Sequence, residues 1–258
     1  MSLILAAHGT RRPSGVAMIG DLAARVSTLV EATVQVAFVD VLGPTPSEVL
    51  SALCHAEACR RPAIVVPAFL SRGYHVRADL PAHVIASGHP NVTVTPALGP
   101  SSDIARIVAQ QLVESGWRAG DSVILGAAGT SNRRAYADLC HTAALLSALI
   151  GSRVNLGFAA TGDPDVAIAV ANARRHGAGR VVVASYLLAE GLFQERLRDC
   201  GADLVTTPVG THPDVARLIV NRFRRAMPRR KGTQRPHHLP NCAVHTALPA
   251  RRAGGGDA

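Results

Sequence analysis

Aromatic residues and lysine are scarce in this chain of 258 residues. Phe, Trp and Tyr together make up 3% of the sequence, and Lys231 is its single lysine. So few aromatic side chains leave little surface on which nucleic-acid bases could stack. No apolar run reaches the roughly 20 residues that a membrane-spanning helix needs. These absences argue against a nucleic-acid partner and against a membrane protein.

Paired cysteines and a secretory leader are also absent. The five cysteines are scattered and include no CxxC pair. An odd number without paired spacing is typical of reduced thiols in the cytoplasm. The residues after Met1 lack the charged region and the cleavage site of a signal peptide. The sequence therefore predicts a cytoplasmic protein with reduced cysteines.

The net charge of +9 is concentrated at the carboxyl terminus. From Arg224 onward there are eight Lys or Arg and one Asp, so the rest of the chain carries only +2. This segment is rich in Arg, Pro and Gly and has no amphipathic period, which predicts a disordered basic tail over 224–258. The tail contains residues of types that bind metal ions, namely His237, His238, Cys242 and His245. Whether they bind an ion together stays open.

Short apolar runs alternate with helical patterns along the chain. Strands separated by helices are typical of an α/β fold with a parallel sheet covered on both faces. In the first half the predicted strands are Leu3–Ala7, Val34–Val41, Ala63–Leu70 and Val92–Ala97. The predicted helices between and after them are Gly15–Val30, Thr45–Arg60 and Ser102–Glu114.

The second half of the chain repeats the first at an offset of about 120 residues. The segment Val123–Thr130 echoes Leu3–Thr10, and Gly210–Asp214 echoes Gly99–Asp103. We expect two pseudo-symmetric α/β domains, 1–117 and 118–223, that face each other across a cleft. Since the chain is already internally duplicated, we also expect a monomer.

Two histidines follow apolar runs in the first half. His8 comes directly after the first predicted strand, and His75 follows the third within a short loop. In an open parallel sheet, ligands bind beside the carboxyl ends of the strands. Two imidazoles at that edge would bind one divalent transition metal or transfer protons. The alternative for each is a loop histidine that is hydrogen-bonded to the backbone.

Asp40 lies in the second predicted strand, close to its end at Gly43-Pro44. A carboxylate in a Val-rich buried strand is costly unless it is paired or functional. Its position near the same edge makes it a candidate third group beside His8 and His75. The alternative is a structural carboxylate that caps the strand or pairs with an arginine.

Arginines flank both histidines and recur in the equivalent loop of the second half. A guanidinium can bind a carboxylate through two hydrogen bonds, so the clustering favours an anionic ligand. For any one of them, the alternative is solvated surface charge. They are Arg11, Arg12, Arg72, Arg77, Arg133 and Arg134. The glycine-containing loop Gly9–Gly15 matches neither the dinucleotide nor the Walker pattern, so nucleotide binding is not supported.

Residues 3–223 resemble the class II chelatases of the sirohydrochlorin cobaltochelatase/ferrochelatase family. The resemblance depends on the His-Gly-Thr-Arg sequence at His8 and on Pro67-Ala-Phe-Leu-Ser-Arg-Gly-Tyr-His75-Val-Arg-Ala-Asp79-Leu-Pro81. The duplicated form is similar to the long members of that family. The resemblance implies two chelatase-like domains and ATP-independent insertion of Co²⁺ or Fe²⁺ into sirohydrochlorin, in sirohaem or cobalamin biosynthesis.

The same resemblance implies roles for individual residues. His8 and His75 would bind the incoming ion or accept protons from the pyrrole nitrogens, while the arginines would hold carboxylates of the tetrapyrrole. Asp40 falls where relatives often have Glu, and Thr10 falls where they usually have Ser. We expect no permanently bound metal, because the ion is a substrate. We also expect no iron–sulfur centre, because the tail has no cysteine-rich cluster motif. Cobalt, iron and nickel remain open.

Two other functions remain compatible with these residues: metal delivery without catalysis, and tetrapyrrole binding without activity. In the repeat register, Ala128 replaces His8 and Phe193 replaces His75. The first half would therefore carry the chemistry, and the second half would mainly form a wall of the cleft.

Overall fold

The chain folds into parallel β-sheets flanked by helices, as the sequence predicts. A computed structural model describes residues 1–55 and 61–228, and within them eight strands form two four-stranded parallel sheets. Both sheets have helices packed against them. The predicted α/β fold class is thereby confirmed.

The elements alternate regularly along the chain. None of the described helices is both long enough and apolar enough to cross a membrane. The strands are β1 Ser2–Ala7, β2 Val34–Phe38, β3 Ala63–Pro67, β4 Val92–Val94, β5 Ser122–Gly129, β6 Val154–Thr161, β7 Val181–Tyr186 and β8 Leu204–Val205. The helices are α1 Pro13–Val30, α2 Pro46–His55, α3 Leu80–Ala86, α4 Ser102–Glu114, α5 Arg133–Ile150, α6 Val166–Arg175, α7 Leu192–Arg198 and α8 Pro213–Ala226. A π-helix spans His75–Asp79, and a 3-10 helix spans Val209–Thr211.

The two sheets have the same strand order. The first sheet is ordered β2-β1-β3-β4 and the second β6-β5-β7-β8, so β1 and β5 are the equivalent inner strands. Individual backbone hydrogen bonds are also repeated in the two halves. The amide of Phe38 donates to Pro44 O at 2.9 Å, and the amide of Phe158 donates to Pro164 O at 3.0 Å. The duplication inferred from the sequence is therefore visible in the backbone.

The predicted elements differ from the observed ones mainly at strand ends. Strand β2 ends at Phe38 and β3 at Pro67, three residues earlier than predicted in both cases. The π-helix and α3 were not predicted, because the apolar run before them continues without a clear break. Helix α4 spans the predicted residues, and Thr45 caps α2 by accepting the amide of Glu48 at 3.3 Å.

The last helix of each half packs against the other half. Helix α4 contacts α5 and β7, whereas α8 contacts α1 and β3. One continuous hydrophobic cluster therefore includes Leu5 and Ile104 from the first half together with Leu125 and Phe223 from the second. Residues 1–227 form one compact unit as a result.

Helix α8 extends further than the sequence predicts. It continues through Arg224 and Arg225 to Ala226, whereas the composition predicts that both arginines belong to the disordered tail. Basic side chains in the last turn of a helix interact favourably with its negative end, which explains why the helix persists there. The predicted tail from residue 229 onward, with its histidines and Cys242, lies outside the described residues.

The cysteines are not all reduced thiols. Cys54 is disulfide-bonded, which corrects the prediction made from the spacing of the cysteines. Pairing depends on the distance between cysteines in the folded chain, which their spacing in the sequence does not determine. Cys140 and Cys200 are free, and Cys200 is buried.

Replacing Phe223 with Ala will test whether α8 joins the two halves. Phe223 is fully buried in the shared core, so we expect the free energy of unfolding to fall by about 3–5 kcal/mol. Urea denaturation followed by circular dichroism should still show one transition, because both halves lose the same support. The control is Ile85→Ala at an exposed site, which should change stability by less than about 0.5 kcal/mol. Two separated transitions in F223A would contradict a shared core.

Candidate metal centre and cleft

Three side chains from three different loops meet at one edge of the first sheet. His8 follows β1, Asp40 comes two residues after β2, and His75 begins the π-helix that follows β3. Because β1 lies between β2 and β3, the three loops are neighbours at the carboxyl ends of the strands. One possible ligand atom from each residue lies within 4.8 Å of the other two. The structure thus brings together the three residues that the sequence singles out.

The cluster suits a divalent transition metal that is held loosely. Two ligands of one tetrahedral ion at normal bond lengths lie about 3.4 Å apart, so only small side-chain movements would be needed for coordination. Three protein ligands leave a fourth position open, as in catalytic rather than structural sites. His8 and Asp40 are exposed and His75 is half-buried, so an ion can reach them from solvent.

The orientation of His75 is set by its neighbours. Its Nδ1 lies 2.5 Å from Oδ2 of Asp79, one helical turn further along. A carboxylate on Nδ1 fixes the tautomer and leaves Nε2 available to a metal. The ring also stacks on Phe69 at 6.2 Å between centroids and meets the ring of His8 edge-on at 4.4 Å.

Asp79 is a functional candidate in addition to those predicted from the sequence. The signal was present, because a carboxylate four residues after a histidine lies on the same face of a helix. The sequence places His75 in a loop, and the spacing has this meaning only because His75–Asp79 is helical.

Asp40 is exposed and lies beyond the end of β2, which corrects the expectation of a buried strand residue. Its Oδ1 accepts the amide of Val41 at 2.7 Å, and its own amide donates to His8 O at 3.2 Å. Gly9 makes this close approach possible. It has φ +92°, and a Cβ at that position would lie 2.4 Å from Asp40 O. Glycine is therefore required where the two loops meet.

A cavity of about 670 Å³ lies between the carboxyl ends of the two sheets. The first half contributes His8 and the segment Phe69–Ser71, and the second half contributes residues 127–129 and 187–194. Most of the lining side chains are aliphatic. Asp40 and His75 lie beside His8 rather than in the lining itself, so the metal cluster is at the edge of the cavity.

Among residues 118–228, which the structure describes, the second half has no counterpart of the metal cluster. In the register of the repeat, His8 corresponds to Ala128, Asp40 to Ala160 and His75 to Phe193. Ala128 and Phe193 line the cavity. One side of the cavity therefore borders the candidate metal cluster through His8, and the equivalent positions on the opposite side are apolar.

The predicted arginines occupy different environments. Arg11 and Arg12 line the cavity, and Arg12 Nη2 pairs with Glu195 Oε2 of the second half at 2.8 Å. Thr10 also lines the cavity. Its hydroxyl lies close to Gly191 of the second half, where an added Cβ would be 3.2 Å from Thr10 Oγ1. Arg72 pairs with Asp138 instead. The three remaining arginines are exposed and lie outside the cavity lining; they are Arg77, Arg133 and Arg134.

The fold and the cluster define a duplicated α/β protein with a candidate transition-metal site on one side of an apolar cleft. The CbiX family model matches residues 2–115 and again residues 122–226. The chain belongs to the CbiX family, with two copies of the family unit in one polypeptide. The resemblance stated from the sequence motifs is confirmed.

Solved structures share this fold. SirB from Bacillus subtilis with Fe³⁺ has a TM-score of 0.73 at 20% identity, over 86% of this chain and 94% of that one. SirB from Bacillus subtilis subspecies spizizenii, described as a sirohydrochlorin chelatase in complex with cobalt, gives 0.68 at 20% identity, over 86% and 93%. A CbiX described as the terminal enzyme for biosynthesis of siroheme in denitrifying bacteria gives 0.68 at 23% identity, over 88% and 100%. A sequence comparison with curated proteins gives no significant match.

Replacing Asp79 with Ala will test its role beside His75. Losing a carboxylate partner of a metal-binding histidine weakens metal affinity by about 10–100-fold, and we expect a loss in that range for Co²⁺. Titration of the protein with Co²⁺, followed by its visible absorption, measures the affinity. Asp103→Ala is the matched control, because Asp103 is also a helical carboxylate with a neighbouring partner, Arg106. Equal affinities in D79A and D103A would contradict the assignment.

Proposed function

We propose that this protein inserts a divalent metal ion, Co²⁺ or Fe²⁺, into sirohydrochlorin without using ATP. The observation that carries the proposal is the cluster of His8, Asp40 and His75 at the edge of the apolar cavity. Membership of the CbiX family supports it, as do the named activities of the similar structures.

The ion is a substrate in this proposal. His8, His75 and Asp40 would replace part of its water shell and present it to the tetrapyrrole. Imidazole and carboxylate ligands suit Co²⁺, Fe²⁺ and Ni²⁺ alike, so the donor set alone does not choose between them. Because the site has only three protein ligands and is open to solvent, it would release the ion to the macrocycle.

The cavity would hold the macrocycle over the metal cluster. Its volume of about 670 Å³ lies within the range of sites that enclose small organic ligands. The aliphatic lining suits the flat faces of the ring. Arg11 and Arg12 line the cavity and can bind peripheral carboxylates, with Arg12 exchanging Glu195 for the substrate.

Insertion requires that two protons leave the ring nitrogens as the metal–nitrogen bonds form. The products are the metallated tetrapyrrole and two protons, so the charges balance without a cofactor. A neutral imidazole is a suitable base near neutral pH. The imidazole that does not bind the ion, or that releases it during transfer, would pass each proton to solvent. The metallated product belongs to sirohaem or cobalamin biosynthesis.

The first test follows the absorbance of sirohydrochlorin with Co²⁺ or Fe²⁺ under anaerobic conditions. We expect the wild-type protein to give product with multiple turnovers, and His8→Ala and His75→Ala each to lower the rate by at least about 100-fold, because each removes a ligand or base. The control is His176→Ala, an exposed histidine on the second half, which should leave the rate unchanged. Transfer of only one equivalent per protein would indicate metal delivery. Tetrapyrrole binding without product in the wild type would indicate an inactive binding protein.

Two substitutions at Asp40 test whether its carboxylate contributes to metal insertion. We expect Asp40→Ala to lower kcat by about 10-fold, because a nearby carboxylate neutralises part of the charge of the ion or orients an imidazole. Asp40→Glu should retain most of the rate, since it keeps the carboxylate. Steady-state kinetics at varied metal concentration separates the two variants. An Asp40→Ala variant with wild-type kcat and KM for the metal would exclude Asp40 from the site.

A further inference from the structure

A carboxylate of the second half binds the loop that carries His75. Asp138 lies on α5 and is only 4% exposed. Its Oδ2 accepts the backbone amide of Arg72 at 3.0 Å and Nε of the same residue at 3.1 Å, while Oδ1 accepts Nη2 at 2.5 Å. All the acceptor contacts of this side chain within the described residues thus go to one residue, three positions before His75.

The electrostatics agree with a tightly bound pair. Burial alone would raise the pKa of Asp138, but the hydrogen bonds from Arg72 outweigh it and lower the pKa below the usual aspartate value. The hydrogen bonds that Arg72 donates to the Asp138 carboxylate in turn raise the pKa of the Arg72 guanidinium. Arg72 is therefore engaged within the protein, although its side chain is 60% exposed.

A second contact holds the same loop two residues earlier. The hydroxyl of Tyr186, at the end of β7, donates to the carbonyl of Leu70 at 2.8 Å. Tyr186 is 3% exposed, and burial raises its pKa, so it remains a neutral donor. Gly99 allows the contact, because a Cβ there would lie 2.3 Å from Leu70 O and 2.7 Å from the Tyr186 hydroxyl oxygen.

The two contacts act on the backbone of one short segment. Residues 68–74 connect β3 to the π-helix that begins at His75. Within this connection, the Leu70 carbonyl and the Arg72 amide are both bound by side chains of the second half. A loop without such contacts would sample several backbone conformations. His75 is carried by this loop, so its place beside His8 and Asp40 depends on where the second half holds the chain.

We propose that Asp138 and Tyr186 are positioning residues for the metal cluster. The second half, which lacks the three metal ligands, would then contribute to the chemistry by fixing the His75 loop rather than by binding the ion. This inference rests on the proposed function for its catalytic consequence. Its structural part, the control of the loop that carries His75, is testable without the tetrapyrrole.

The central variant is Asp138→Asn, which keeps the size of the side chain and removes its charge. The chain offers a close control in Asp121→Asn. Asp121 has a similarly buried side chain, 9% exposed, and it also accepts one backbone amide, from Arg118, and one guanidinium, from Arg180. It precedes β5, at the opposite edge of the second sheet from the cleft. Tyr186→Phe removes the second contact independently.

Hydrogen exchange measured on peptides that cover 70–79 tests the loop directly. We expect Asp138→Asn and Tyr186→Phe to raise exchange there at least about 10-fold, and Asp121→Asn to leave it unchanged. Co²⁺ affinity should fall about 10-fold in the first two variants, the scale seen when a supporting partner of a metal ligand is lost. In turnover assays of Asp138→Asn, kcat should fall with little change in KM for sirohydrochlorin, because Asp138 is not part of the cavity lining.

The outcomes separate this inference from the proposed function. If Asp138→Asn loses thermal stability to the same degree as Asp121→Asn but keeps wild-type exchange and Co²⁺ affinity, the positioning role is wrong. If the wild-type protein binds Co²⁺ but does not metallate sirohydrochlorin, the proposed function fails, and exchange and Co²⁺ affinity still decide the inference. If one variant does not fold, the other gives the answer, because each removes a different contact.

Discussion

The candidate site depends on one geometric constraint, which is that parallel strands place their carboxyl ends at the same edge of a sheet. In the first sheet, β1 lies between β2 and β3, so residues that follow three different strands become neighbours. His8, Asp40 and His75 are 67 residues apart at most, yet their ligand atoms lie within 4.8 Å. No local motif could create this cluster, because each loop supplies one donor.

The two halves of the duplicated chain differ in the residues that they contribute to the site, although they form one folded unit. The first half has the metal ligands, and the second has Ala128, Ala160 and Phe193 at the equivalent positions. The last helix of each half, α4 or α8, packs against the other half, so the two halves share one hydrophobic core. The cavity lies between the two halves of this unit. Side chains of the second half, Asp138 and Tyr186, reach the first-half loop that carries His75.

Much of this arrangement could be predicted from the sequence, and the reasons are local. An apolar run that ends in His8-Gly9 indicates a strand and its exit loop, and comparison of the two halves shows where the histidines are missing. The π-helix and the Asp79 contact were not predictable, because the run from Ala63 to Leu70 does not reveal where the strand ends. The Asp138–Arg72 pair joins residues 66 positions apart, and no periodicity relates them. Such contacts follow from how the halves pack, and a pattern within one half contains no information about it.

X-ray absorption spectroscopy of the Co²⁺-loaded protein, without tetrapyrrole, tests the central claim most directly. The fine structure reports how many imidazole rings scatter around the ion. The predicted result is one cobalt ion with two imidazole ligands and an oxygen ligand at about 2.0–2.2 Å, reduced to one imidazole in His8→Ala and in His75→Ala. A spectrum that is unchanged in both variants would place the ion elsewhere and contradict the account.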